Sequence, residues 1–121
     1  MSSYWVKRPR NKYGNVKVEL DGQTFDSKKE ARRYAELKLL EQAGEITMLK
    51  TQVKYELQPG FTTADGKKYK PIYYISDFEY FTKDGDRVIE DVKSPATRKN
   101  TVYKMKKKML AYQYGYEIQE V

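Results

Sequence analysis

The spacing of apolar and polar positions changes several times along the chain, and each change marks a predicted element. VKVELDGQTF (residues 16–25) alternates on both sides of Asp21-Gly22, a dipeptide suited to positive φ, and predicts a β-hairpin. FDSKKEARRYAELKLLEQAGEI shifts to helical spacing and predicts a helix over 27–43. Asp26 or Ser27 can cap its first turn, Ser27 with Glu30 matches a capping box, Phe25 can staple onto that turn, and Gly44 stands where a C′ glycine belongs. ITMLKTQVKYEL (46–57) returns to alternation, with Thr51, Val53, Tyr55 and Leu57 on one face and Gln52, Lys54 and Glu56 on the other. PGFTTADGKKYKP reads as a loop or small hairpin turning at Asp65-Gly66. YYISDFEYFTKDGDRVIEDVKS predicts two strands, about 72–81 and 87–93, ended by Pro95. TRKNTVYKMKKKMLAYQYG predicts a second helix over about 99–113, stopped by Gly115. Val102, Met105, Met109 and Tyr112 form its apolar stripe, and Lys104, Lys107 and Lys108 lie opposite. YEIQEV closes the chain as a short strand.

The predicted order is a hairpin followed by α-β-β-β-α-β. The class is α/β, with a mixed central sheet flanked by helices. At 121 residues the chain suits one domain, over 16–121. Residues 1–15, with Lys7, Arg8, Arg10 and Lys12, read as a basic arm, either mobile or laid on a partner.

Composition narrows the chemistry. The chain has no cysteine and no histidine, which excludes disulfides, thiolate or histidine metal sites and histidine-based triads. A metal here would take oxygen ligands, as magnesium, manganese or calcium do. No apolar run approaches ~20 residues, and the start of the chain lacks a secretory signal, so a cytoplasmic protein is expected. The net charge of +7 favours a polyanionic partner, most often nucleic acid. The bland alternative is a soluble surface biased to lysine.

The second half of the chain carries the candidate site. A three-residue loop at Lys83-Asp84-Gly85, a type I turn with a G1 bulge, pairs Thr82 with Asp86. That register puts Asp77 opposite Asp91, with Cβ atoms ~5 Å apart, and Lys93 on the same face. Two carboxylates so close repel, and a divalent cation relieves the repulsion. Lys93 could orient or help deprotonate a water, or stabilise phosphate charge; metal-assisted phosphodiester hydrolysis suits the set. The alternatives are a solvated face, or a two-residue turn at Asp84-Gly85 that shifts the register and separates the pair. Glu90 falls on the opposite face from Asp91. Glu30 shares a helix stripe with Tyr34 and Leu37, and is either a third carboxylate aimed at the sheet or only the partner of Ser27 in the cap.

Asp77 followed by Asp91-Val92-Lys93 resembles the signature of the PD-(D/E)XK nuclease superfamily. The segments FDSKKEARRYAELKLLEQAGEI, KYELQPGF, YISDFEYF and EDVKS, in this order, make the chain similar to small phage and prophage proteins of that superfamily. The resemblance implies a restriction-endonuclease-like core of order α-β-β-β-α-β. It implies a Mg²⁺- or Mn²⁺-dependent endodeoxyribonuclease in which Asp77, Asp91 and Glu30 bind metal and Lys93 assists the water. It further implies a Holliday junction resolving enzyme, a homodimer acting on branched DNA in a bacterial host cell, with no small-molecule cofactor. Two positions depart from the pattern: Ser76 stands where the naming proline would be, and Asp91 replaces the more frequent glutamate.

Expected DNA contacts are Arg98, Lys99, Lys104, Lys107 and Lys108 on the second helix, with Lys7, Arg8 and Arg10 from the arm. Lys106 projects near the apolar stripe, aimed at the site or snorkelling past the core. The rival functions are a non-catalytic DNA-binding accessory protein of recombination or replication, and a phage protein that binds another protein.

Overall fold

A computed structural model describes residues 6–10 and 16–121, with side chains described from Lys17 onward. The elements are β1 (Val6–Arg10), β2 (Val16–Leu20), β3 (Gln23–Phe25), α1 (Lys28–Gln42), β4 (Ile46–Gln58), β5 (Phe61–Thr62), β6 (Lys68–Tyr69), β7 (Ile72–Thr82), β8 (Arg87–Asp91), α2 (Pro95–Arg98), α3 (Thr101–Tyr114) and β9 (Ile118–Glu120). Four strands form the main sheet in the order β4-β7-β8-β9, antiparallel except for the parallel pair β8 and β9. The chain is therefore an α/β protein with a mixed sheet.

The first hairpin turns as its sequence predicts. Leu20 pairs with Gln23, and both residues between them have positive φ, 51° at Asp21 and 76° at Gly22. The basic arm differs from its expectation in one respect. Val6–Arg10 is a strand paired antiparallel to β2, so the hairpin is two strands of a three-stranded sheet. The side chains of Lys7, Arg8 and Arg10, and all of Lys12, lie outside the described residues.

Helix α1 is capped at both ends. The Glu30 N–H donates to Ser27 Oγ at 3.1 Å. At the other end Gly44 has φ 78°, and the Glu45 N–H returns to the Leu40 carbonyl at 2.9 Å, closing a Schellman motif. Its stripe of Glu30, Ala31, Tyr34 and Leu37 is buried. Ala31, Tyr34 and Leu37 join Val18, Leu20, Phe25, Ile46, Phe78 and Tyr80 in one core on one face of the main sheet. A second core on the other face unites Tyr55, Leu57, Tyr74 and Ile89 with Tyr103, Leu110 and Ile118.

Two expectations about faces are corrected. Thr51 does not share a face with Val53, Tyr55 and Leu57. It hydrogen-bonds to Gln23 on the α1 side at 3.0 Å, whereas the other three pack on the α3 side. Strand β4 turns over at Gln52, whose φ is 53°. Helix α3 is also rotated from its predicted phase. Tyr103 and Leu110 face the sheet, while Val102, Met105 and Tyr112 are exposed. Apolar residues line two flanks of this helix, and spacing alone does not say which flank meets the sheet. Ser94 begins a four-residue helix, α2, that the sequence reading missed, although Ser94 and Thr97 form a reciprocal capping box with Pro95 at the helix start.

Candidate functional site

The turn after β7 is the three-residue form. Gly85 has φ 86°, its N–H reaches the Thr82 carbonyl at 3.0 Å, and the Thr82 N–H reaches Asp86 at 2.9 Å. The ladder runs back from there through Phe81↔Arg87 to Phe78↔Glu90. One step further, Asp77 and Asp91 face each other, and side chains take over from the backbone. The Asp77 N–H donates to Asp91 Oδ1 at 3.1 Å. The Val92 N–H donates to Asp77 Oδ2 at 2.8 Å. Each carboxylate thus receives a backbone N–H from the facing strand.

Asp91 is almost wholly buried. The Tyr74 hydroxyl donates to its Oδ2, and Lys93 Nζ lies 3.5 Å from the same oxygen. The Lys93 ammonium also sits 4.2 Å from the centre of the Tyr103 ring. The end of the chain holds this segment in place: the Lys93 N–H donates to the Val121 carbonyl at 3.1 Å, and the Val121 N–H to the Asp91 carbonyl at 2.9 Å. Lys29 Nζ, from the first turn of α1, reaches the Lys93 carbonyl at 3.1 Å.

Glu30 comes in from α1 and is only 6% exposed. Its backbone serves the Ser27 cap while its carboxylate receives the Gln52 amide at 3.4 Å. Burial raises its pKa to about 8, and the charges of Asp77, Asp26 and Asp91 add to the effect. Burial and the Asp91 charge raise Asp77 to about 7. The charges of Asp77 and Asp91 thus oppose the ionisation of Glu30, and Lys93 is the cation in contact with Asp91.

The chemistry of these donors fits a hard divalent cation: carboxylate oxygens, crowded negative charge and no soft ligand. Among the described residues, no group of three acidic side chains stands ready-made around a common point. The two aspartates are instead tied to the backbone and to each other.

A cleft of about 300 Å³ opens beside the pair, lined by Tyr73, Asp91, Lys93, Asn100, Tyr103 and Lys106 among others. Lys106 therefore belongs with Lys93. Among the described side chains, the other expected cations do not converge on the acids. Arg98, Lys104, Lys107 and Lys108 line a separate groove on another flank of α3. There Glu120 draws Arg98 to 3.7 Å and Lys107 to 3.3 Å. Lys99 is exposed at the end of α2.

A model of the family described as "Protein of unknown function (DUF1064)" matches residues 10–120. The chain belongs to the DUF1064 family. No curated protein and no solved structure matches it.

Several residues at the site of this DUF1064 chain escaped the sequence reading. Glu90 lies on the α1 face, as strand alternation predicts, but its partners were not foreseen. Arg33 Nε and Nη2 each donate to its carboxylate at 2.7 Å, and the Tyr80 hydroxyl donates to it as well. This forked pair ties the helix that carries Glu30 to the strand that carries Asp91. Arg33 is one turn beyond Glu30, and that spacing was the available signal. Tyr74, Tyr103 and Gln52 left no local trace, because each depends on strand pairing or on the helix phase.

Proposed function

We propose that this protein is a Mg²⁺- or Mn²⁺-dependent endodeoxyribonuclease of the PD-(D/E)XK kind. The observation that carries the reading is the meeting of Asp77 and Asp91 across the end of the β7–β8 ladder, with Lys93 on Asp91 and Glu30 alongside. The element order also supports it. With the small β5–β6 hairpin and α2 set aside, the chain from α1 onward runs α-β-β-β-α-β.

Asp77 and Asp91, with Glu30 as a third donor, would hold the cation. When bound, it supplies positive charge against the phosphate oxygens and lowers the cost of forming hydroxide from water. The protein's own groups do the rest. Lys93, steered by Asp91 and the Tyr103 ring, holds the attacking water in the cleft and faces the growing phosphate charge. The water oxygen bonds to phosphorus, the bond to the leaving oxygen breaks, and the leaving oxygen takes up a proton.

Branched DNA is the proposed substrate, cut by a homodimer in the cytoplasm of a bacterial host cell as a junction resolving enzyme. No helix among the described residues is long and apolar enough to cross a membrane. Non-specific DNA contact is supplied by Lys106 in the cleft and by the exposed β5–β6 hairpin. That hairpin stacks Phe61 on Tyr69 at 4.9 Å and carries Lys67 and Lys68, with Lys70 just beyond.

A second reading, a DNA-binding accessory module without catalysis, draws support from the absence of a ready-made three-acid group among the described residues. Cleavage assays separate the two. Four-way junction, flap, linear duplex and single-stranded DNA are offered with Mg²⁺ or Mn²⁺, with Asp77→Asn as control. Paired cuts in the junction that need the metal and vanish in the variant establish the nuclease. Binding of the junction without cutting of any substrate supports the accessory module.

A further inference from the structure

Gln52 occupies a backbone conformation that its place in the fold does not otherwise call for. Its φ is 53°, in the left-handed region, where a residue with a Cβ is strained. It stands in mid-strand, not in a turn. The pairs on either side, Thr51↔Phe78 and Val53↔Ser76, keep one register, so no extra residue has been inserted as in a bulge. Elsewhere among the described residues such φ values fall on glycines 22, 44, 66, 85 and 115, on Asp21 in the hairpin turn, and on Met48, where the β4–β7 register shifts. A glycine at 52 would adopt the same backbone without strain.

The turnover has a counterpart across the ladder. Tyr74 packs on the α3 side and Phe78 on the α1 side, although four residues of regular strand would place them on one face. Strand β7 therefore turns over between them, at the level of Asp77, which by the shared register lies opposite Gln52. The same twist leaves the Asp77 N–H pointing at Asp91. It also lets the amide of Gln52, itself an exposed residue like Lys54 and Glu56, reach Glu30 Oε2 at 3.4 Å.

An amide suits that task better than a cation would. A lysine would pair with Glu30 and cancel the charge that a metal needs. The Gln52 amide holds the carboxylate by a neutral hydrogen bond and leaves its charge available.

We infer that Gln52 is a positioning residue of the carboxylate site, holding Glu30 beside Asp77 so that Glu30 can serve as a third ligand to a divalent cation. The inference rests on the metal-dependent reading above. Backbone strain at 52 is retained because the side chain is needed there.

Gln52→Gly separates strain from function, since it keeps the backbone and removes the amide. Urea unfolding of the metal-free protein and Mn²⁺ titration by calorimetry are run on wild type, Gln52→Gly and Gln52→Leu. We expect Gln52→Gly to be at least as stable as wild type yet to bind Mn²⁺ about tenfold more weakly. Gln52→Leu, which keeps the Cβ and the strain, should show the same loss of affinity. Wild-type Mn²⁺ affinity in both variants would overturn the inference and leave the nuclease reading intact. A clear loss of stability in Gln52→Gly would also overturn it, by making the side chain a structural contact. If wild type binds no Mn²⁺ at all, the metal-dependent reading fails and takes this inference with it.

Discussion

Asp77 and Asp91 each accept a backbone N–H that an ordinary β-ladder would have given to a carbonyl: Asp77 accepts from Val92 at 2.8 Å and Asp91 from Asp77 at 3.1 Å. The strands β7 and β8 thus part company at the two acids and are held together there by carboxylates. Asp91 is the more deeply committed, because Tyr74 and Lys93 also converge on it. Asp91→Ala should therefore cost about 2–4 kcal/mol of stability, through stranded buried donors. Asp77→Asn keeps an acceptor for Val92 and should fold normally. Both should lack cleavage and keep most of their DNA affinity. Urea unfolding and a filter-binding assay check this; equal stability loss in the two variants would count against the asymmetry.

The raised pKa values give the metal-free protein a pH dependence of definite sign. Asp77 at about 7 and Glu30 at about 8 lie above the usual carboxyl range near 4. Between roughly pH 4 and pH 8 the folded state holds protons that the unfolded chain has released, so stability falls as pH rises through that window. Each carboxyl should contribute up to about 1.4 kcal/mol of loss per pH unit between pH 5 and its folded pKa, several kcal/mol in all by pH 8.5. Asp77→Asn should flatten the slope and be more stable than wild type at pH 8.5 in EDTA. Millimolar Mg²⁺ should stabilise wild type more at pH 8.5 than at pH 5, because the cation competes with those protons. An Asp77→Asn variant whose stability falls with pH as steeply as wild type would exclude Asp77 as the source.

The placement of the acids was legible in the sequence because one turn decides it. Gly85 fixes the loop length, the loop length fixes the register, and the register sets Asp77 against Asp91. Glu30 was legible only in part: its stripe with Tyr34 and Leu37 pointed inward, but the Ser27 cap stood beside it as an alternative that only the packing of α1 resolves. Gln52 was not, because strict alternation through β4 is what its sequence shows, and the turnover appears only when β7 twists beside it. The phase of α3 was missed because Val102 and Met105 are as apolar as the buried pair Tyr103 and Leu110; Met109, also in the predicted stripe, does pack against that core. The choice between those flanks is made by the surface of the sheet, where Tyr74, Ile89 and Ile118 wait for a large residue at 103 and 110.

The corrected phase can be tested directly. Leu110 is fully buried, and Leu110→Ala should cost about 2–5 kcal/mol. Met105 is about half exposed, and Met105→Gln should change stability by less than ~0.5 kcal/mol. Denaturant midpoints of the two variants decide it; the reverse ranking would restore the stripe read from the sequence.

The Arg33–Glu90 pair predicts an unequal response to losing either partner. Glu90 is fully buried, while the Arg33 side chain is 27% exposed and can turn to water. Arg33→Ala leaves a buried carboxylate with only the Tyr80 hydroxyl and should cost about 3–5 kcal/mol. Glu90→Gln keeps the shape and an acceptor, and should cost about 1–2 kcal/mol. Comparable losses from the two changes would mean that the forked contact is worth no more than a neutral hydrogen bond.

Lys93 offers the sharpest test of the site's chemistry, because two different groups steer its ammonium. Asp91 draws it by charge at 3.5 Å, and the Tyr103 ring cups it at 4.2 Å. The Tyr103 hydroxyl is occupied elsewhere, donating to Glu120 at 2.6 Å. Tyr103→Phe keeps the ring over Lys93 and gives up only the Glu120 bond, so cleavage should stay within about threefold of wild type. Tyr103→Leu removes the ring and frees the ammonium. Cleavage under single-turnover conditions should then fall by about tenfold or more, with Mn²⁺ affinity little changed, since no metal ligand is touched. Lys93→Ala should abolish cleavage and leave cation binding in place. Equal rates for the Phe and Leu variants would show that the ring does not steer Lys93, and loss of Mn²⁺ affinity in Lys93→Ala would move the lysine from water handling to holding the carboxylates in shape.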